Sequence, residues 1–239
     1  TEGRKAEGEG VSYGITGGGN TILNTTIDSL IITDMFYTNV DADIVNLGHL
    51  EDARGVKILG LLGASLFKEV EMEIDYRNNL LILYKLDKEG NRIVGNERTQ
   101  LPDVDVSIDI TNDIIFMDVV AAEKKLRFCL DTGAERNVIS NTLSNKIIKH
   151  FQLTTPGGLT GSNGNSQLIL NGQMDSVIIG GKSFVAMPFI LTNLNYLQLV
   201  YDTNINGILG YDYLSKGIVT INHKKKRLTM YFYTAIKTE

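Results

Sequence analysis

The chain has 239 residues, 43% of them hydrophobic and 21% charged, with a formal net charge of −5. That is the composition of an ordinary folded protein, long enough to bury one large core or two smaller ones. The acidic balance, with no basic stripe on a periodic element, argues against a nucleic-acid partner, and no apolar run reaches membrane-spanning length.

The first ten residues, TEGRKAEGEG, are polar and carry Arg4-Lys5; they are no signal peptide and read as a flexible, nickable segment. VSYGITGGGN (11–20) is a Gly-rich segment between two β-like stretches. A phosphate-loop reading fails because no Gly-Lys-Ser/Thr follows. Asp28-Ser29 reads as turn chemistry at the opening of a strand. Gly60-Leu61-Leu62-Gly63 leads into a short helical signal. In EVEMEID (69–75) Val70, Met72 and Ile74 face one way and the acids the other; RNN then supplies a turn and LLILY returns as a buried strand. A polar connector, LDKEGNRIVGNERTQLP, follows.

RFCLDTGAERNVIS (127–140) places Asp131-Thr132-Gly133-Ala134 where an apolar strand runs out into small polar residues. Cys129, the one cysteine, excludes an internal disulfide framework and reads as a small core residue. Ile139, Leu143 and Ile147 recur every four residues, a short helical signal. Asp202-Thr203-Asn204 reads as a loop, and Ile208-Leu209-Gly210 precedes a second helical signal in which Asp212 reads as a helix cap. HKKKR (223–227) reads as a solvated hairpin tip. The three histidines, His49, His150 and His223, stand far apart without metal-ligand spacing. No metal and no cofactor is expected.

The chain repeats itself at an offset of 147 positions. Gly60, Leu62, Gly63, Ile74, Leu81 and Tyr84 fall on Gly207, Leu209, Gly210, Ile221, Leu228 and Tyr231. The same diagonal, without a gap, carries Gly14, Gly17, Leu23 and Asn24 onto Gly161, Gly164, Leu170 and Asn171, and Asp28-Ser29 and Ile31-Ile32 onto Asp175-Ser176 and Ile178-Ile179. Two copies of one β-rich unit follow.

A Leu-Asp-Thr-Gly-Ala run at a strand exit, followed by Ile208-Leu209-Gly210 before a short helix, resembles the aspartic proteases, in particular the retropepsin-like units of bacterial aspartyl protease family proteins. The likeness covers about 104–233 and, in part, 11–85. It implies an all-β acid-protease (retropepsin/pepsin-like) fold with two repeated β-barrel-like lobes and short helices. Residues 1–85 form an N-terminal lobe without its own Asp-Thr-Gly segment, 86–103 a connector, and 104–239 a complete C-terminal lobe. The catalytic group implied is Asp131, supported by Thr132, Gly133, Ala134, Ile208, Leu209 and Gly210. Gly133 allows close backbone approach to the carboxylate, and the Thr132 hydroxyl can bond across to the matching loop. Tyr13-Gly14 resembles the tip of a pepsin flap over bound peptide, with Gly161 and Ser162 in the counterpart hairpin; a plain hairpin loop fits the same residues. The substrate implied is a polypeptide, and the address an exported one: periplasmic, surface-attached or secreted.

One exposed aspartate, with a pKa of about 4, is a poor base for water; two that share a proton can act as base and acid together. The repeat offset carries Asp131 seventeen positions ahead of Thr1, so the partner aspartate is expected from outside this chain. Three arrangements fit: a removed or separate N-terminal segment, two copies meeting at Asp131, or loss of the partner. The expected function is an aspartic endopeptidase; the alternatives are a catalytically inactive peptide-binding protein of the same fold and a β-rich scaffold that binds no peptide.

Overall fold

A computed structural model of the chain describes residues 8–13, 19–48, 51–52, 55–95, 98–160 and 166–233. The chain divides into two units, Thr1–Leu61 with Gly158–Gln167, and Leu62–Gly157 with Leu168–Glu239. Among the described residues no helix is long and apolar enough to cross a membrane.

In the first unit, β1 (Gly8–Tyr13), β2 (Gly19–Ile32) and β3 (Met35–Ile44) form an antiparallel sheet in that order. β1 and β2 are antiparallel arms in which Tyr13 faces Gly19. Asp28 does not open a strand. It lies inside β2, between the pairs Ile27↔Val40 and Ser29↔Thr38, where Asn39 bends the facing strand with a φ of 50°.

The remaining elements are β4 (Val70–Asp75), β5 (Leu80–Lys85), β6 (Val104–Ser107), β7 (Asp109–Thr111), β8 (Ile114–Ala121), β9 (Lys124–Leu130), β10 (Val138–Ser140), β11 (Phe151–Thr160), β12 (Ser166–Ile179), β13 (Lys182–Thr192), β14 (Gly207–Leu209), β15 (Gly217–Asn222) and β16 (Arg227–Phe232). Between them lie a 3₁₀ turn, Ala64–Phe67, and the short helices α1 (Asn145–Ile148), α2 (Asn195–Tyr201) and α3 (Tyr211–Leu214). Eight strands run in the order β11-β12-β13-β10-β14-β9-β8-β7. A further pairing of β12 with β8, Ile178↔Val120, curls this sheet toward a barrel. Its core holds Phe116, Phe128, Ile139, Met174, Phe189 and Leu209, all fully buried, with Phe128 and Phe189 edge to face at 6.1 Å. Burying each such side chain stabilises the fold by about 1.5–3 kcal/mol.

The repeat extends to the backbone. β2 and β12, β3 and β13, the 3₁₀ turn and α3, β4 and β15, and β5 and β16 each begin 147 positions apart. Positive φ angles recur at mate positions: Thr33 and Gly180 both at 55°, Asn39 at 50° and Ala186 at 51°, Asn79 at 54° and Lys226 at 48°. Local geometry of this kind is set by the same pattern read twice.

A second sheet, β5-β4-β15-β16-β6, joins the copies. β4 and β15 are repeat mates and pair with each other, Ile74↔Val219, Glu73↔Thr220 and Met72↔Ile221. Glu73 therefore faces its own mate. The acidic face of β4 is covered as well: Glu73 and Asp75 are both buried, Asp75 accepting a hydrogen bond from the Tyr233 hydroxyl at 2.6 Å. The connector supplies the cover, with Arg92 2.6 Å from Glu71 and Arg98 2.7 Å from Glu73. LLILY behaves differently from the sequence expectation. Leu80, Leu81 and Ile82 are exposed, because β5 is the sheet edge.

Ile139 also departs from expectation. It sits in β10, between β13 and β14, and only 145–148 are helical. The β-branched pair Val138-Ile139 favours a strand, and the four-residue spacing to Leu143 was coincidental.

Candidate active site

β9 is apolar where it meets β14, parallel to it through Phe128↔Gly207, Cys129↔Ile208 and Leu130↔Leu209. On the other side β14 pairs with β10, Ile208↔Val138. Gly207 fills a place no side chain could: a Cβ there would lie 2.6 Å from Val138 O and collide with the Phe128 ring. β9 then ends and Asp131 begins an exposed loop. The Asp131 N–H donates to Leu209 O at 3.0 Å, so the loop is fastened to the buried β14. The Asp131 carboxylate accepts the Gly133 N–H at 2.8 Å, and a Cβ on Gly133 would stand 3.2 Å from that same oxygen. Ala134 N–H closes the turn onto Asp131 O at 3.3 Å, and Ala134 O accepts Tyr211 N–H at 2.8 Å. Among the described residues the Thr132 side chain, which is exposed, makes no hydrogen bond.

Gly210 seals the floor. A Cβ there would lie 2.5 Å from Ala134 O and 2.7 Å from Arg136 O. Asp212 does not cap its helix; its carboxylate accepts Arg136 Nε at 2.9 Å and Asn137 N–H at 3.0 Å, tying down the returning limb of the loop.

Of the remaining expected residues, Tyr13 ends β1, while Gly14, Gly161 and Ser162 lie outside the described residues. Asp202 follows α2 in a left-handed conformation, φ 45°, as loop chemistry predicts. Asp175 lies inside β12 and bonds His150 at 3.1 Å and Gln152 at 2.6 Å. Cys129 is buried, and burial together with the Asp131 charge pushes its thiol up to about 12; it is a core residue and not a nucleophile.

Three residues of the site escaped the sequence reading. Asn137, fully buried, donates to Pro188 O at 3.1 Å and accepts Gly210 N–H at 3.0 Å, so one side chain locks β13, β14 and the Asp131 loop together. Tyr76 packs edge to face on Tyr211 at 5.3 Å, and its phenol is raised by burial first and by the Asp131 charge second. Tyr201, at the end of α2, is raised by burial and then by Cys129 and Asp131. None of the three falls in a motif, and the burial that marks Asn137 is visible only in the structure.

Residues 117–213, from β8 through the Asp131 loop and β14 to α3, match the aspartyl protease family. The chain carries an aspartyl-protease-like unit. Two of the solved structures that align with this chain illustrate the likeness. One is a retropepsin-like aspartic protease from Rickettsia conorii, 18% identical with a TM-score of 0.36, covering 53% of this chain and 88% of that chain. The other is an aspartic proteinase from Irpex lacteus, 14% identical with a TM-score of 0.47, covering 98% of this chain and 84% of that chain. No curated protein sequence matches. The aspartyl-protease-like unit includes Asp131 and the whole of its floor. The all-β build of the chain, with two repeated copies and short helices, is the fold expected from the sequence.

Proposed function

We propose that this chain forms part of an aspartic endopeptidase in which Asp131 and a second aspartate, supplied by a segment outside this chain, activate water for peptide hydrolysis. The observation that carries this reading is the Asp131 loop: an exposed carboxylate, oriented by a backbone N–H at 2.8 Å, on a turn fastened to buried Leu209. Rigid support of this kind is what a positioned acid–base group needs. Two carboxylates at hydrogen-bond distance share one proton. The ionised one accepts a proton from water as the water oxygen attacks the peptide carbonyl carbon; the protonated one gives its proton to the carbonyl oxygen. No covalent intermediate forms. Thr132 is free in this arrangement to bond across to the partner loop; Tyr13 ends the first arm of the β1–β2 hairpin, and the family likeness assigns Tyr13, Gly14, Gly161 and Ser162 to covering bound peptide. The lobes of the proposal are 1–85 and 104–239, with the connector 86–103, and an exported address rests on the bacterial likeness.

A second reading has one observation in its favour: among the described residues the Asp131 carboxylate accepts its hydrogen bond from Gly133 and from no second carboxylic acid. A peptide-binding protein without catalysis would share the fold. Hydrolysis of a denatured protein between acid and neutral pH, in the presence of the partner segment, separates the two. The endopeptidase reading expects cleavage that Asp131→Asn abolishes while circular dichroism is unchanged. Cleavage surviving in Asp131→Asn rejects it.

A further inference from the structure

A turn written twice in the sequence should be held in the same way twice, and the turn between β4 and β5 is held by more than its mate. In it the Asp75 carboxylate accepts Asn78 N–H at 3.1 Å; in the β15–β16 turn the Asn222 side-chain oxygen accepts Lys225 N–H at 2.9 Å. These bonds are repeat mates and close both hairpins alike. The β4–β5 turn has a second set of contacts, all within the second unit. Asp75 also accepts the Tyr233 hydroxyl at 2.6 Å, Arg77 N–H donates to that hydroxyl oxygen at 3.1 Å, and the Arg77 guanidinium lies 3.9 Å from the centre of the Tyr233 ring. Tyr233 N–H in turn donates to Lys216 O at 3.2 Å, just beyond α3. Tyr76, between Asp75 and Arg77, meets the start of α3, with its ring edge to face on Tyr211 at 5.3 Å. The turn is fastened to α3 at both ends.

This second set is not part of the repeat. The mates of Tyr76, Tyr211 and Tyr233 are His223, Ala64 and Leu86, so neither the tyrosine pair nor the hydroxyl bonds can recur at the mate positions. Core packing does not call for the pair either, because Tyr211 is 50% exposed. What Tyr211 does hold is the Asp131 loop: its N–H donates to Ala134 O at 2.8 Å, and Ala134 N–H donates to Asp131 O at 3.3 Å. The Asp131 charge also reaches the Tyr76 phenol, which burial first and that charge second hold above its ordinary value. The contacts that break the repeat lie beside Asp131.

We propose that Tyr76 is a positioning residue for Asp131: its ring holds Tyr211 against the Asp131 loop, so that a turn of the first copy fixes the carboxylate of the second. The inference deepens the endopeptidase reading and rests on it for its effect on hydrolysis. An edge-to-face ring contact fixes an orientation as well as a distance, and a positioned acid–base group needs both. Tyr211 cannot turn away from Tyr76 without straining its bond to Ala134.

Amide hydrogen exchange on the full chain is read at Asp131, Gly133, Ala134 and Tyr211, the four N–H groups that close the loop. Tyr76→Ala should speed them about two- to tenfold, the size of one such ring contact, while the amides of β8 and β9 keep their rates. Tyr76→Phe keeps the ring and should match the wild type. In Asp131→Asn the Tyr76 phenol, followed by carbon-13 NMR of its ring, should titrate at lower pH than in the wild type, because a neutral amide replaces the charge. Unchanged loop exchange in Tyr76→Ala, or equal acceleration throughout β8 and β9, overturns the inference. So does a Tyr76→Phe chain that exchanges like Tyr76→Ala, or a Tyr76 phenol indifferent to Asp131→Asn. In the hydrolytically active preparation, with the partner segment present, Tyr76→Ala should lower kcat with KM unchanged; an unchanged kcat overturns the inference. A wild-type chain that cuts nothing under those conditions removes the endopeptidase reading and leaves the exchange and phenol results to decide the positioning role.

Discussion

Glu73 and Thr220 are repeat mates, and they face each other across β4 and β15. In an antiparallel pair only a residue on the local two-fold axis can face its own mate, so β4 and β15 are related by a half-turn that passes through this pair.

Glu73 also anchors the connector. Its side chain is buried and pairs with Arg98 at 2.7 Å and with Arg92 at 3.4 Å. Without Glu73 the partly exposed Arg98 loses its partner while Arg92 keeps Glu71 at 2.6 Å, at a cost of about 1–3 kcal/mol. Urea unfolding of Glu73→Ala should show a loss of that size with an unchanged m-value. A loss within experimental error of zero would mean that the connector does not depend on this clamp.

Asn137 is a sharper test of how the Asp131 loop is held. Asn137→Ala leaves Gly210 N–H without its acceptor and Pro188 O without its donor in a dry interior. Each lost partner costs about 1–3 kcal/mol. The expected outcome is a fall in unfolding free energy together with faster amide exchange at 131–134. A destabilised variant whose loop exchanges as before would separate the residue from the site.

Gly210→Ala drives a methyl group against Ala134 O and Arg136 O. The loop must move away from β14 to admit it, and overpacking of this kind costs about 1–3 kcal/mol. Any hydrolysis should fall by more than the stability loss explains, because Asp131 moves with Ala134. Wild-type stability and activity would show that the loop has slack at this point.

His223 should set part of the acid limb of stability. Its ring is buried, with neither nitrogen hydrogen-bonded among the described residues. Burial holds its pKa below the ordinary value; Asp113 opposes that shift and Lys68 adds to it. Below about pH 6.5 the unfolded chain therefore binds a proton that the folded chain resists, and stability falls as pH drops toward the folded pKa. Above about pH 6.5 the contribution is complete. Unfolding free energy between about pH 6.5 and 5 should fall more steeply for the wild type than for His223→Leu. Parallel profiles would contradict this.

Much of the fold was legible because the same pattern is written twice. The offset aligns β2 with β12 and β4 with β15, and alternation in EVEMEID marked a strand and its hairpin. What a strand lies beside was not legible. LLILY reads as buried by composition, yet its burial depends on whether a neighbour covers the edge. The Asp131 loop and its Ile208-Leu209 floor could be read from a motif. Asn137 could not, because a lone polar residue in a loop has no period, and Arg92 and Arg98 look like solvated connector charges until β4 is placed beneath them.

Intact mass of the hydrolytically active fraction, purified under native conditions and then measured as separated chains, tests the central claim most directly. The account predicts polypeptide beyond the 239 residues of this chain, carrying a second Asp-Thr-Gly or Asp-Ser-Gly, either as a separate chain or in continuous sequence with this one. An active fraction made of this chain alone, single or paired, would contradict it.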